Sequence, residues 1–341
     1  MKMKNLAMYL LSGWIMGCGT GVSSDPAESG GEAESRGATQ LLDSVLATTA
    51  LSDGTPDDAT YLAVVADPAH HLARLVRGDI RDNTITELDR MPIGNGAAQV
   101  VSGLDAIAWG FGDHGLDAGS FRILRDGHAG DLSIGDRSPS HLLAQYYNQV
   151  FYTSTRNCKL EQVDVTTGQV KTWGTIGCFE TVDASTLGRG MVWFRTHDDH
   201  GAILREMESS YFALYDTVGD SLPHTAGPAS DGVTETTAWA TAGSDGATHV
   251  LRTLNSVFPA QPVEIAAIPG AVDLIAFVTG QLWGATVGDH STVFHATSSG
   301  VERFAVAYRP RALFGLHDRL LVVTDDGHLV AQRLDLLEPA L

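Results

Sequence analysis

The sequence predicts an all-β chain built from repeated four-stranded antiparallel units, and three observations predict it. Short runs rich in Val, Phe, Ile and Thr alternate apolar and polar residues and end in Gly, Asp or Ser, as half-buried strands separated by tight turns do. Residues 272–307 show the figure most clearly, as VDLIAFVTG, QLWGATV, TVFHATS and VERFAVA. The figure then recurs along the chain, with hardly a helical period anywhere.

The second run of each copy carries a bulky apolar residue. After a less regular opening copy around Ala63 (TYLAVVAD), these anchors are Trp109 (AIAWGF), Phe151 (QVFYTS), Trp193 (MVWFRT), Trp239 (TAWATA), Trp283 (QLWGAT) and Leu321 (LLVVTD). From Trp109 onward the steps are 42, 42, 46, 44 and 38 residues. Four-stranded repeats of this length resemble the blades of a β-propeller, in which a closed ring buries the faces that a lone blade would expose. Seven copies predict seven blades. The repeats contain no WD dipeptide, Kelch double glycine or YWTD run, so the resemblance is to the architecture and to no subfamily. Two β-sandwiches are the alternative all-β reading, but they would not require equal intervals. The last copy (PRALFGL, RLLVVTD, HLVAQRL) has three clear strands. Its fourth is expected from LLEPAL at the chain end or from the chain start near LLDSVLAT, residues 41–48.

The N-terminus reads differently. Residues 1–17, MKMKNLAMYLLSGWIMG, place Lys2 and Lys4 before a short apolar run and a small-residue exit, the pattern of a secretory signal. The apolar run is about ten residues, short of the ~20 that a spanning helix needs. Ile15-Met16-Gly17-Cys18 resembles the lipobox of bacterial lipoproteins, although Met16 replaces the usual small residue. The resemblance implies cleavage before Cys18, lipidation of that cysteine and attachment to a membrane of the cell envelope. Gly19 after the cysteine implies the outer membrane if the source is Gram-negative. The alternative is a chance cysteine behind an ordinary secretory signal. Residues 19–40 are rich in Gly, Ser, Ala and Glu and can bury little, so residues 18–40 read as a lipidated cysteine and acidic tether. As a flexible coil the tether would span roughly 25 Å. The propeller is then expected over residues 41–341.

Beyond Cys18 the chain holds two cysteines, Cys158 and Cys178. An even pair in an exported chain points to a disulfide; two buried thiols or a fragment of a metal site are the alternatives. The formal charge is −19, and loss of Lys2 and Lys4 with the signal takes it to about −21. That sign repels phosphate backbones, which argues against a nucleic-acid partner and favours cations or basic proteins.

Two sets of polar residues recur at equivalent positions. Between the second and third strands stand Asp67, Asp113, Asp198 with Asp199, Asp245, Asp289, and Asp325 with Asp326, accompanied by His70, His71, His114, His197, His200, His290 and His328. Tight turns favour Asp and Gly, and turn chemistry is the preferred reading. His197-Asp198-Asp199-His200 has the residue types to bind Zn or Ca but no fixed ligand spacing. Ten residues before the anchors, on the innermost strands, stand Asp53, Gln99, His141, Asp183, Ala229, Asp273 and Arg311, with Asp231 two residues beyond Ala229. Equal register predicts equal height at the channel, and hence a polar ring there. Convergent polar groups can bind a ligand, and Asp183 with Asp273 could hold a divalent cation such as Ca or Zn. A hydrated channel needs no ligand, and that is the plainer alternative.

No Gly-x-Ser-x-Gly, His-Glu-x-x-His or P-loop occurs. Gly94-Asn95-Gly96 is too short for a dinucleotide site, and Arg77-Gly78-Asp79 is a match of only three residues. The repeated tryptophans read as inter-blade core rather than as sugar platforms. Two function classes remain. One is a non-catalytic binding or scaffolding lipoprotein for a protein, peptide or glycan. The other is a metal-dependent propeller hydrolase or lyase acting on a small molecule in the channel.

Overall fold

The computed structural model describes residues 37–50, 59–103, 106–112, 119–131, 139–154, 158–176, 181–188, 191–198, 201–208, 213–216, 226–231, 234–257, 261–288, 291–297 and 300–339. Residues 1–36, with the expected signal and Cys18, lie outside them.

The first strand, β1 (Ala38–Leu42), stands apart from the blade that follows it. Blade 1 comprises β2 (Val45–Ala50), β3 (Thr60–Asp67), β4 (Leu72–Asp79) and β5 (Thr84–Pro92). Blade 2 comprises β6 (Ala98–Ser102), β7 (Ala106–Phe111), β8 (Ser120–Arg125) and β9 (His128–Asp131). Blade 3 comprises β10 (His141–Tyr146), β11 (Gln149–Ser154), β12 (Lys159–Asp164) and β13 (Val170–Thr175). Blade 4 comprises β14 (Thr181–Gly188), β15 (Met191–Asp198), β16 (Gly201–Glu208) and β17 (Ala213–Asp216). Blade 5 comprises β18 (Ala226–Asp231), β19 (Thr236–Ala242), β20 (Ala247–Leu254) and β21 (Val263–Pro269). Blade 6 comprises β22 (Leu274–Val278), β23 (Gln281–Thr286), β24 (Thr292–Thr297) and β25 (Gly300–Ala305). Blade 7 comprises β26 (Pro310–Leu316), β27 (Arg319–Thr324) and β28 (Leu329–Arg333), and β1 completes it.

Each blade is one antiparallel sheet. The first strands touch in succession from β2 through β6, β10, β14, β18, β22 and β26 back to β2, so the ring closes. The fold is the expected seven-bladed β-propeller. Four antiparallel crossings return the chain to its starting face, so every inner strand begins on the same face and runs the same way.

The anchors hold the blades together. Ala63, Trp109, Phe151, Trp193, Trp239, Trp283 and Leu321 are all buried. Trp109 packs into a cluster with Leu62, Val64, Leu75 and Met91 of blade 1, and Phe151 packs with Val192 and Phe194 of blade 4. Trp193 stacks on Trp239 across blades 4 and 5, with ring centroids 5.7 Å apart. Near the axis the approach is closer still. A Cβ on Gly315 of β26 would overlap the carbonyl oxygen of Phe277 on β22, so only glycine fits there.

Closure of the ring combines the two expected possibilities differently from either. The outer strand of blade 7 is β1, paired from Ala38↔Gln332 to Leu42↔Leu329, while Val45 already belongs to the inner strand of blade 1. The stretch 41–48 is therefore divided between two blades, and the first strand begins at Ala38, three residues before position 41. Thr39 and Gln40 are exposed on the outer strand, which is why ATQ reads like tether. The described residues of LLEPAL, 336–339, supply no strand. Leu334–Leu336 forms a single 3₁₀ turn, and Pro339 bridges Phe304 of blade 6.

Candidate functional site

The starts of the inner strands, at one mouth of the channel, carry most of the polar positions expected there. Gln99 lies opposite Gly110 and His141 opposite Thr153. Asp183 falls in the bulge between the pairs Val182↔Thr196 and Ala184↔Arg195, with its side chain outside the described residues. Asp273 precedes β22 and donates its backbone N–H to Ala285 (3.0 Å). Arg311 falls in the bulge between Pro310↔Thr324 and Ala312↔Val323.

Two expected members do not join them. Asp231 ends β18 opposite Thr236, at the other mouth of the channel. It is buried, accepts the Thr234 N–H (3.1 Å) and the Thr234 hydroxyl, and braces its own hairpin. Asp53 lies outside the described residues; β2 is described to Ala50. Counting ten residues back fails because hairpin lengths differ and because the inner strands of blades 1, 3, 4, 5 and 7 carry bulges that those of blades 2 and 6 lack. Each bulge adds a residue without adding height.

The side chains at the first mouth are engaged with backbone. Gln99 Nε2 donates to the Ser140 carbonyl (3.1 Å), and its Oε1 accepts the Leu142 N–H (2.5 Å). One amide thus spans blades 2 and 3 and satisfies groups on either side of His141. Arg311 Nη2 donates to the Val45 carbonyl (3.0 Å), the corresponding clip between blades 7 and 1. Asp273 Oδ2 accepts the Val287 N–H (2.6 Å) within blade 6. Unpaired buried backbone groups are costly, so these contacts are structural work. His141 is half-buried and also has an interaction partner.

The turns between second and third strands open on the same face. His70 lies 3.0 Å from both carboxylate oxygens of Asp67, and that hydrogen bond holds the Asp67 carboxyl below its ordinary range. Asp245 accepts the Ala247 N–H (3.0 Å), a backbone bond that leads the causes of its lowered pKa. His249 sits between Asp245 (3.2 Å) and Glu264 (3.1 Å), and its hydrogen bonds to these two hold its pKa above the ordinary histidine value. Asp325 pairs with Arg309 (3.0 Å). His328 lies between Asp43 (2.6 Å) and Asp326 (3.2 Å), joining the chain start to the β27–β28 turn. Asp113, His114, Asp199, His200, Asp289 and His290 lie outside the described residues, as do the side chains of His197 and Asp198. Among the described residues no group of three or more His, Cys, Asp or Glu could hold a metal ion.

No sequence pattern marks one charged pair that proves central to packing. Asp89 on β5 accepts Arg122 Nη1 (2.7 Å) and Trp109 Nε1 (3.0 Å), while the same Arg122 nitrogen donates to the Arg90 carbonyl (2.8 Å). Asp89 and Arg122 are ordinary surface residue types in strands of irregular pattern, and nothing in their spacing marks them as partners.

Neither a protein-family model nor a curated protein sequence matches the chain. Solved structures do resemble it. The β-propeller domain of Swd1 from Myceliophteria thermophila aligns with a TM-score of 0.62 and 8% identity, over 88% of this chain and 99% of that one. A chain in the Mitotic Checkpoint Complex aligns with a TM-score of 0.58 and 10% identity, over 92% and 99%. The WD40 repeats of RRP9 align with a TM-score of 0.55 and 11% identity, over 89% and 99%. Likeness at these identities concerns the fold.

Proposed function

We propose that this chain is a non-catalytic binding or scaffolding module, displayed outside the cytoplasm on a lipid anchor at Cys18, that engages a basic protein partner. The observation that carries the reading is the engagement of the channel-mouth groups. Gln99, Arg311 and Asp273 spend their polar atoms on backbone of their own or neighbouring blades, so the inner ring is built as bracing. The face around it carries Asp67, Asp245, Asp325 and Asp326 on a chain of charge −19, a field that draws a basic surface. That a similar propeller occurs in a multiprotein complex agrees with such a role. Charge reversal at Asp67 and Asp245 (Asp67→Lys, Asp245→Lys) is expected to lower partner capture from envelope extracts about tenfold at low salt. Asp183→Ala and Asp273→Ala are expected to leave capture unchanged. A stoichiometric divalent metal in the purified protein, lost in Asp273→Ala, would support the enzyme reading and overturn this one.

The export reading brings a disulfide with it. The Ile176 N–H donates to the Cys158 carbonyl (3.1 Å) where β12 and β13 meet, so Cys178, itself outside the described residues, follows two residues beyond a backbone partner of Cys158. A bridge there would close the β12–β13 hairpin. Intact mass of detergent-extracted protein, with alkylation before and after reduction, tests both covalent features. The expected product starts at a lipidated Cys18 and gains two reactive thiols only on reduction. An unmodified Cys18, or two thiols reactive before reduction, refutes the corresponding feature.

A further inference from the structure

We propose that the cleft between blades 5 and 6, on the face opposite the acidic turns, binds a carboxylate carried on a short apolar chain, with Arg252 as the carboxylate's partner. The cleft has a volume of about 400 Å³. Its place follows from the topology: β20 and β24 end there, β21 begins there, and β22 turns into β23 at Thr279–Gly280. Ile265, Phe277, Leu282 and Ala296 line it and also belong to the apolar cluster that joins the two blades, so the floor is an exposed edge of core.

Arg252 stands on that floor. Alternation along β20 turns Thr248, Val250 and Arg252 to the same side, and Val250 is packed in the cluster shared with blade 6. Arg252 is half-buried, and among the described residues its guanidinium has no hydrogen-bond or ion-pair partner. Arg77 also lacks one but is exposed, where water satisfies it. An unpaired arginine in a cleft is unexpected in a chain with 41 acidic and 22 basic residues. Among the described residues no Asp or Glu lines the cleft. The adjoining acids are engaged: Asp231, beside Gly280, is hydrogen-bonded by Thr234, and Glu302 lies 3.6 Å from His295. The cleft therefore combines one uncompensated cation with an apolar wall. A planar carboxylate matches the guanidinium fork in two parallel hydrogen bonds, and an aliphatic or aromatic body covers Phe277, Leu282 and Ile265. The Gln281 amide can fix orientation at the rim.

This site is separate from the acidic face and does not depend on the protein-binding reading. Saturation-transfer NMR on the full chain, with octanoate and the uncharged octanol as probes, tests it. Wild type is expected to bind octanoate at least about tenfold more tightly than octanol, the scale of a charge-assisted hydrogen bond. Arg252→Gln should abolish that preference and leave octanol binding intact, Arg252→Lys should keep part of it, and Ala296→Phe should exclude both probes. Circular dichroism melting confirms that each variant is folded. No octanoate binding by wild type, equal affinity for the two probes, or unchanged octanoate affinity in Arg252→Gln overturns the proposal.

Discussion

Replacing Asp89 with alanine is expected to destabilise the propeller by about 3–5 kcal/mol, the usual cost of breaking a buried ion pair from one side. The Asp89 carboxylate is 9% exposed and the Arg122 side chain 24%, so water does little to screen the pair. Removing Asp89 takes the acceptor from the indole N–H of the fully buried Trp109 and leaves the Arg122 guanidinium only the Arg90 carbonyl and the exposed Asp131, 3.8 Å away. The site also joins two blades, because Asp89 belongs to the outer strand of blade 1 while Trp109 and Arg122 belong to blade 2. The indole nitrogens of Trp193, Trp239 and Trp283 are buried with no hydrogen-bond partner among the described residues, so blade 2 alone of these four ties its tryptophan to a neighbour's acid. Asp89→Asn keeps the shape and an acceptor for Trp109 and should cost less than Asp89→Ala. The double variant Asp89→Ala/Arg122→Leu should cost less than the sum of the single changes, since no uncompensated charge remains. Denaturant titration of the wild type, the three single variants (Asp89→Ala, Asp89→Asn and Arg122→Leu) and the double variant measures these differences, and a loss below about 1 kcal/mol in Asp89→Ala would remove the pair from the structural role given to it.

The second large effect is expected from removing β1. A chain beginning at Asp43 loses the pairing with β28 and the buried Leu41, and truncating a buried leucine alone costs about 2–5 kcal/mol. It also bares the edge of β28 at the seam where the Val45 N–H reaches the Gly327 carbonyl (2.8 Å) and Arg311 reaches Val45. Unpaired edges recruit other chains. The expected result is a markedly lower melting temperature together with association on a sizing column. A chain beginning at Gly37 should melt as the full-length domain does, because β1 is retained. If both truncations melt alike, β1 does not close the ring in solution.

The anchors were legible because burial between blades demands a large apolar residue at one place in every repeat. Trp109, Phe151, Trp193, Trp239 and Trp283 repeat at nearly constant spacing, and each is buried where that spacing requires. The channel ring was legible only in part. Gln99, His141, Asp183, Asp273 and Arg311 do lie at the starts of the inner strands or in the bulges within them, but Asp231 lies at the opposite mouth, and Asp53 lies outside the described residues. Height in a strand depends on pairing, and a bulge or a longer hairpin shifts the count without leaving a mark in composition. The roles of the ring residues were less legible still. An amide at position 99 looks the same whether it meets a ligand or the backbone of Ser140 and Leu142.

By itself, the sequence determined the all-β class, the number of blades and the residues packed between them, because strand alternation and repeat spacing are local properties that hydrophobic burial reads directly. Only the tertiary structure decided that Ala38–Leu42 closes the ring, that Asp89 and Arg122 meet beside Trp109, and that Arg252 stands at the edge of the core with no partner among the described residues. Those outcomes depend on which strand edges and side chains approach across blade boundaries. Such contacts join residues as far apart as Ala38 and Gln332, and no pattern along the chain encodes that distance.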